Sequence, residues 1–184
     1  SSSDLKKIGL VFIGITAISA LSFTLIKNNQ VLKINSIEKP IQYKLDTKAS
    51  VLNWKGEKSA DHFHTGSVSF SQGIVKMDGG ILSSGSFIVN MNSIRISDDM
   101  EEGKISYLTK HLMSADFFNT EKFPKVTVSV EGLENGKLST TMDVMGITLK
   151  NTIPVSISET EDKLIINGNF DIDFASLKLP GMQT

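Results

Sequence analysis

With 184 residues, 40% of them hydrophobic, the chain holds one folded domain with a sizeable core and is too short for two comfortable ones. Its 19 Lys+Arg against 20 Asp+Glu leave a formal net charge of -1, so no global field favours nucleic acid or an anionic surface. The lack of cysteine excludes disulfides, thiolate metal sites and cysteine nucleophiles.

The first predicted element is apolar. Lys6 and Lys7 precede an uncharged run from Ile8 to Ile26, which Lys27 closes. A helix crosses the hydrocarbon core of a bilayer with roughly 20 residues, so residues 1–27 are expected to form an N-terminal transmembrane or signal helix, a signal anchor. The two lysines keep the N-terminus cytoplasmic and put the remainder in the periplasm or another extracytoplasmic space. There it is either anchored to the cell membrane or secreted after signal cleavage near the small-x-small triplet Ala20-Leu21-Ser22. Residues 28–40 mix polar residues with short apolar pairs and read as a linker. The domain proper then covers residues 41–184.

From Ile41 onward the dominant period is two. It runs through Ile41 to Leu45, Val51 to Trp54, Val68 to Phe70 and Ile74 to Met77, with Gly and Asp between the runs. In the stretch Ile81 to Met91, the residues Phe87, Val89 and Met91 share one face. The second half alternates more cleanly: Val126, Val128 and Val130, then Ile153, Val155 and Ile157, then Phe170, Ile172 and Phe174 oppose polar neighbours. Glu134-Asn135-Gly136 is a tight turn between two such runs. The one helical stretch is Ser97 to Ser114, with acids first, Lys110 and His111 last, and Ile105, Leu108 and Leu112 as an apolar stripe. Many short alternating strands and one helix in a long connection predict an all-β closed barrel, since closure removes exposed edges; a sandwich is the alternative.

Chemistry-bearing patterns are few. His62 and His64 fall on one face of a strand, where two imidazoles are too few for a metal site, and local hydrogen bonding is the plainer role. No Gly-x-Ser-x-Gly elbow, phosphate-cradling glycine loop or EF-hand spacing is present, so neither a catalytic centre nor a cofactor is expected. Phe117, Phe118 and Phe123 form an aromatic cluster after the helix, read either as a core plug or as a hydrophobic rim.

Five segments in order carry a resemblance: Trp54 with Gly56; His64-x-Gly66; Gly85 to Ile94; Ser106 to Val126 with its Asp116-Phe117-Phe118; and Val144 to Lys150 followed by Pro154-Val155. Together they resemble the YceI-like family from about Tyr43 to Phe174. The resemblance implies an extended antiparallel eight-stranded lipocalin-like barrel, usually periplasmic, that holds an isoprenoid, an isoprenoid quinone or a fatty-acid derivative. It departs at the end of the chain, where family members add a glycine-rich passage and a closing strand, so a barrel that is truncated or closed differently is expected. The candidate lining is Phe87, Val89, Met91, Val128, Met142, Phe170 and Ile172, with Phe117 and Phe118 near the mouth. The expected function is binding of a long apolar lipid in envelope lipid handling or stress protection; a ligand-free interaction domain is the alternative. The expected partners are that lipid and the membrane, with a homodimer left open.

Overall fold

The computed structural model describes residues 15–17, 23–27, 40–59, 61–160, 162–173 and 177–180. In chain order they form β1 (Ile15–Ala17), β2 (Phe23–Lys27), β3 (Ile41–Leu45), β4 (Leu52–Ser59), β5 (His62–Asp78), β6 (Ile81–Ile96), α1 (Glu102–Met113), β7 (Lys125–Glu134), β8 (Lys137–Val144), β9 (Ile147–Glu159), β10 (Lys163–Gly168) and β11 (Phe170–Ile172).

Tight turns make the meander. Asn135 and Gly136 have φ of 51° and 71°, which joins β7 to β8 through two left-handed residues whose twist matches that of the flanking strands. Met145 and Gly146 repeat the device between β8 and β9 with φ of 55° and 77°. There the Asp143 carboxylate accepts the Gly146 N–H at 2.9 Å, which steadies a turn whose Met145 has no glycine-like freedom.

Strands β5 through β10 pair antiparallel in sequence order, β10 pairs with β2, β2 with β3, and β3 returns to β5, so the sheet closes on itself. The long strands β5 and β6, of 17 and 16 residues, wrap the barrel because their mutual register shifts between Ser67 and Ser69, Phe70 and Gln72, and Lys76 and Met77. Each irregularity bends the ribbon. One half of β5 therefore pairs with β4 and the other half with β3. The small strands β1 and β11 pair separately, Ile15 opposite Ile172.

The N-terminal segment corrects the expectation of a helix. Its described parts are strands: Leu25 lies opposite both Leu164 of β10 and Leu45 of β3. The physical reason lies in the neighbours. Without β2, β3 and β10 would face each other across a gap with unpaired N–H and C=O groups, and Phe23-Thr24-Leu25-Ile26 has the β-branched character that suits a strand. Among the described residues no helix is long and apolar enough to cross a membrane. The rest of the expected anchor, 1–14 and 18–22, and the linker through 39 lie outside the described residues.

Helix α1 is shorter than the expected 97–114. Its amphipathic stripe is as predicted, with Leu108 and Leu112 buried, Glu102 in the first turn and Lys110 and His111 in the last. Asp98 is not in the helix. Its carboxylate accepts the Thr65 N–H at 2.7 Å and the Thr65 hydroxyl at 2.8 Å, and lies 2.6 Å from Nδ1 of His64, so it ties the approach to α1 onto β5. The buried Tyr43 phenol of β3 donates to the Glu159 carboxylate at the end of β9, 2.5 Å away.

Candidate functional site: the barrel interior

Alternation along the strands sends every second side chain inward, and a closed ring of such strands encloses an apolar interior. It is not completely filled. A first void of about 120 Å³ lies at the end of the barrel where α1 packs, and a second of about 40 Å³ lies deeper. Every residue around the first void is apolar, from Leu52 and Trp54 on β4 through Val89, Met91 and Ile94 on β6 to Val126 and Val128 on β7. Around the second, Thr140 is the one polar residue, and its hydroxyl donates to the Asn151 carbonyl at 3.3 Å.

The nine residues picked out from the sequence all reach these walls. Val89, Met91, Phe117, Phe118, Phe170 and Ile172 border the first void, Phe87 borders the second, and Val128 and Met142 border both. Phe87, Val89, Met91, Phe117 and Met142 are buried, whereas Phe118, Val128, Phe170 and Ile172 are half-buried. Phe123 of the aromatic cluster is not on a wall; the Lys122 ammonium sits 5.2 Å from its ring centroid. Phe174 lies outside the described residues.

The turn after α1 explains how two adjacent phenylalanines both reach the first void. The Phe118 N–H returns to the Leu112 carbonyl at 3.0 Å, and Asn119 takes a left-handed φ of 44°, so the chain curls under the helix end. Phe117 is 1% exposed and meets the His111 ring edge-on at 4.9 Å.

Several wall residues escaped sequence reasoning. Leu52 and Trp54 alternate on β4, and Leu112 belongs to the helix stripe, so each had a local signal for burial and none for the void. Trp54 also needs a partner without a side chain: a Cβ on Gly66 would stand 2.3 Å from its Cζ2. The indole thus lies directly on the β5 backbone, which gives the His64-x-Gly66 pattern a packing reason.

The His64 and Asp98 pair sits apart from these walls, in an open cleft that also includes Phe63, Asp99 and Met100. Burial pushes the Asp98 carboxyl up, but hydrogen bonds from His64 and from the Thr65 hydroxyl and N–H, with the His64 charge, hold it below the ordinary range. Among the described residues no three His, Cys, Asp or Glu side chains gather as a metal site. His62 is exposed on β5, and His111 is packed against Phe117.

What this interior can do is exclude water from hydrocarbon. Residues 43–182 match the family described as YceI-like domain. None of the curated proteins matches the chain. Among solved structures, a crystal structure of a mutant CJ YceI protein for nanotechnology applications aligns with a TM-score of 0.48 at 13% identity, covering 85% of this chain and 80% of that one. A polyisoprenoid binding domain from Saccharophagus degradans, implicated in plant cell wall breakdown, aligns with a TM-score of 0.33 at 10% identity, covering 87% and 97%.

Proposed function

From the premise that the chain belongs to the YceI-like domain family, we propose that it binds a long apolar lipid in its barrel: an isoprenoid, an isoprenoid quinone or a fatty-acid derivative. The observation that carries this reading is the all-apolar wall of the first void. An apolar cavity of ~150 Å³ stays dry and accepts a benzene-sized molecule, so a void of about 120 Å³ holds a short piece of hydrocarbon as it stands. Each buried CH₂ contributes about 0.8 kcal/mol, so a chain that threads further gains affinity without any charged contact.

The role is binding and not catalysis, in envelope lipid handling or stress protection. The extracytoplasmic place in this proposal rests on the likeness to a usually periplasmic family and not on the apolar run, whose end forms strand β2. A fusion to a reporter that is active only after export tests that placement, and cytoplasmic reporter activity alone overturns it.

Native mass spectrometry of the full chain purified from its own membranes, followed by organic extraction, tests the ligand. A stoichiometric prenyl or acyl species is the expected result. An apo mass that stays unchanged after incubation with prenyl quinones and fatty amides supports the second reading, an interaction domain without a ligand. The small size of the deeper void, about 40 Å³, is the feature that favours this alternative.

A further inference from the structure

The two voids are not independent. Leu52, Val128 and Met142 border both, so these three side chains form the partition between them. They differ in what they can do. Val128 is β-branched and restricted at χ1, and Leu52 is short. Met142 has an unbranched side chain with three rotatable bonds, the kind that leaves one gap and fills another without moving the backbone.

Met142 is also the one that is tethered. On the neighbouring strand β9, Asn151 stands opposite Thr140, two residues from Met142 on β8. The Asn151 side-chain amide donates to the Met142 Sδ at 3.7 Å. A thioether is a weak acceptor, so this contact biases the side chain without locking it. An amide on the inward register of a barrel interior is costly unless it is partnered, and here its partner is the partition itself.

We propose that Met142, positioned by the Asn151 amide, is the gate between the two chambers and sets the length of hydrocarbon that the barrel admits. This rests on the lipid-binding reading and adds to it a residue that determines chain-length specificity. With Met142 across the passage, a chain fills the first void and stops. When the thioether leaves Asn151 and swings aside, the same chain extends into the second void.

The test is a homologous series of straight-chain carboxylic acids, from about six to about sixteen carbons, titrated into the full chain. Trp54 is the single tryptophan of the protein and stands on the wall of the first void, so its fluorescence reads occupancy directly. In the wild type, affinity rises by about fourfold per added CH₂ up to a break length and then levels off. Met142→Ala moves the break to chains longer by about three carbons, one for each heavy atom the side chain gives up. Asn151→Ala moves it in the same direction by less, and Met142→Phe moves it to shorter chains. Met142→Phe removes no volume from the core, so it carries the test if the alanine variant does not fold.

An identical break length in the wild type and in the folded variants overturns the gate while leaving lipid binding intact. A wild-type affinity that climbs without a break does the same. The absence of saturable binding at every chain length overturns the lipid-binding reading, and the gate with it.

Discussion

The indole of Trp54 rests on the backbone of Gly66, where an added Cβ would stand 2.3 Å from the ring's Cζ2 and 1.9 Å from the Arg95 carbonyl oxygen. The second of these contacts is with backbone of β6, so it cannot be relieved by a rotamer change. Gly66→Ala is therefore expected to destabilise the barrel by about 3 kcal/mol, at the upper end of overpacking costs. Urea unfolding followed through Trp54 fluorescence measures it, and a variant within 0.5 kcal/mol of the wild type, roughly the scatter of surface substitutions, would show that the β6 backbone at Arg95 yields along with the indole.

The two phenylalanines after α1 separate packing from binding. Phe117 is 1% exposed, so Phe117→Ala opens a cavity in the core and is expected to cost about 3–5 kcal/mol. Phe118 is half-buried at the same void, so Phe118→Ala is expected to cost about 1 kcal/mol and to act mainly by raising the dissociation rate of a bound acyl chain. Unfolding curves paired with stopped-flow release distinguish the two. Equal stability losses would mean that Phe118 is core as fully as its neighbour.

Asp98 makes the tie between β5 and the approach to α1 dependent on pH. Its carboxyl is held below the ordinary value of 3.8, so its contribution is present above that value and is lost as pH falls through the lower folded value. Asp98→Asn is expected to be about 2 kcal/mol less stable than the wild type near neutral pH, because hydrogen bonds to a charged group are lost. That gap should close as the pH drops below 3.8. A gap that stays constant across this range would mean that the carboxylate charge contributes nothing.

Tyr43 behaves with the opposite sign. Burial, then the hydrogen bond to Glu159 and the charge of that carboxylate, push its phenol from 10.0 up to about 12. The stabilisation is fully present below pH 10.0 and disappears as the pH rises through about 12. Ultraviolet titration of the wild type against Tyr43→Phe should assign a late-ionising tyrosine to this position. The same substitution should cost about 1 kcal/mol at neutral pH from the lost hydrogen bond.

Hydrogen exchange tests the closing strand. Removal of residues 1–27 takes β2 from between β10 and β3, so amides of Leu164 to Ile166 that face it should lose protection. Amides of β7 and β8, two strands with neighbours on both sides, should change little. Unchanged protection along β10 would show that the ring closes without β2.

Much of the barrel is legible in the sequence because one buried face forces alternation. The Val126, Val128, Val130 series and the Asn135-Gly136 turn needed only local rules. The slips of register in β5 and β6 were not legible, since Gln72 and Ser93 look like ordinary strand residues. Only the fold reveals that the Ser93 hydroxyl accepts the Ser69 N–H at 2.7 Å and donates to the Asn90 carbonyl at 2.6 Å where the alternation breaks.

The apolar N-terminal run satisfied a hydropathy rule that knows nothing of distant edges. Its pairing partners sit at Leu164 and Leu45, positions that periodicity near residue 25 cannot announce. The candidate lining was readable as inward-facing character, residue by residue. The division of the interior was not, because Met142 meets Asn151 only through the register of β8 on β9. For the same reason His64 and Asp98, 34 residues apart, gave no sign of each other.

The position of β2 has a consequence for the order of assembly. Phe23 pairs with Ile166, so β2 cannot gain both of its neighbours until β10, made long after it, has emerged. Contacts so distant along the chain are slow to form, because a long loop must close before any pairing rewards it. Until then β2 can pair with β3, and β3 with β5, while the other edge of β2 waits. Until β10 arrives the nascent barrel is thus a half-open cylinder with an exposed edge and an apolar lumen, and the pairing of β2 with β10 is the step that seals it.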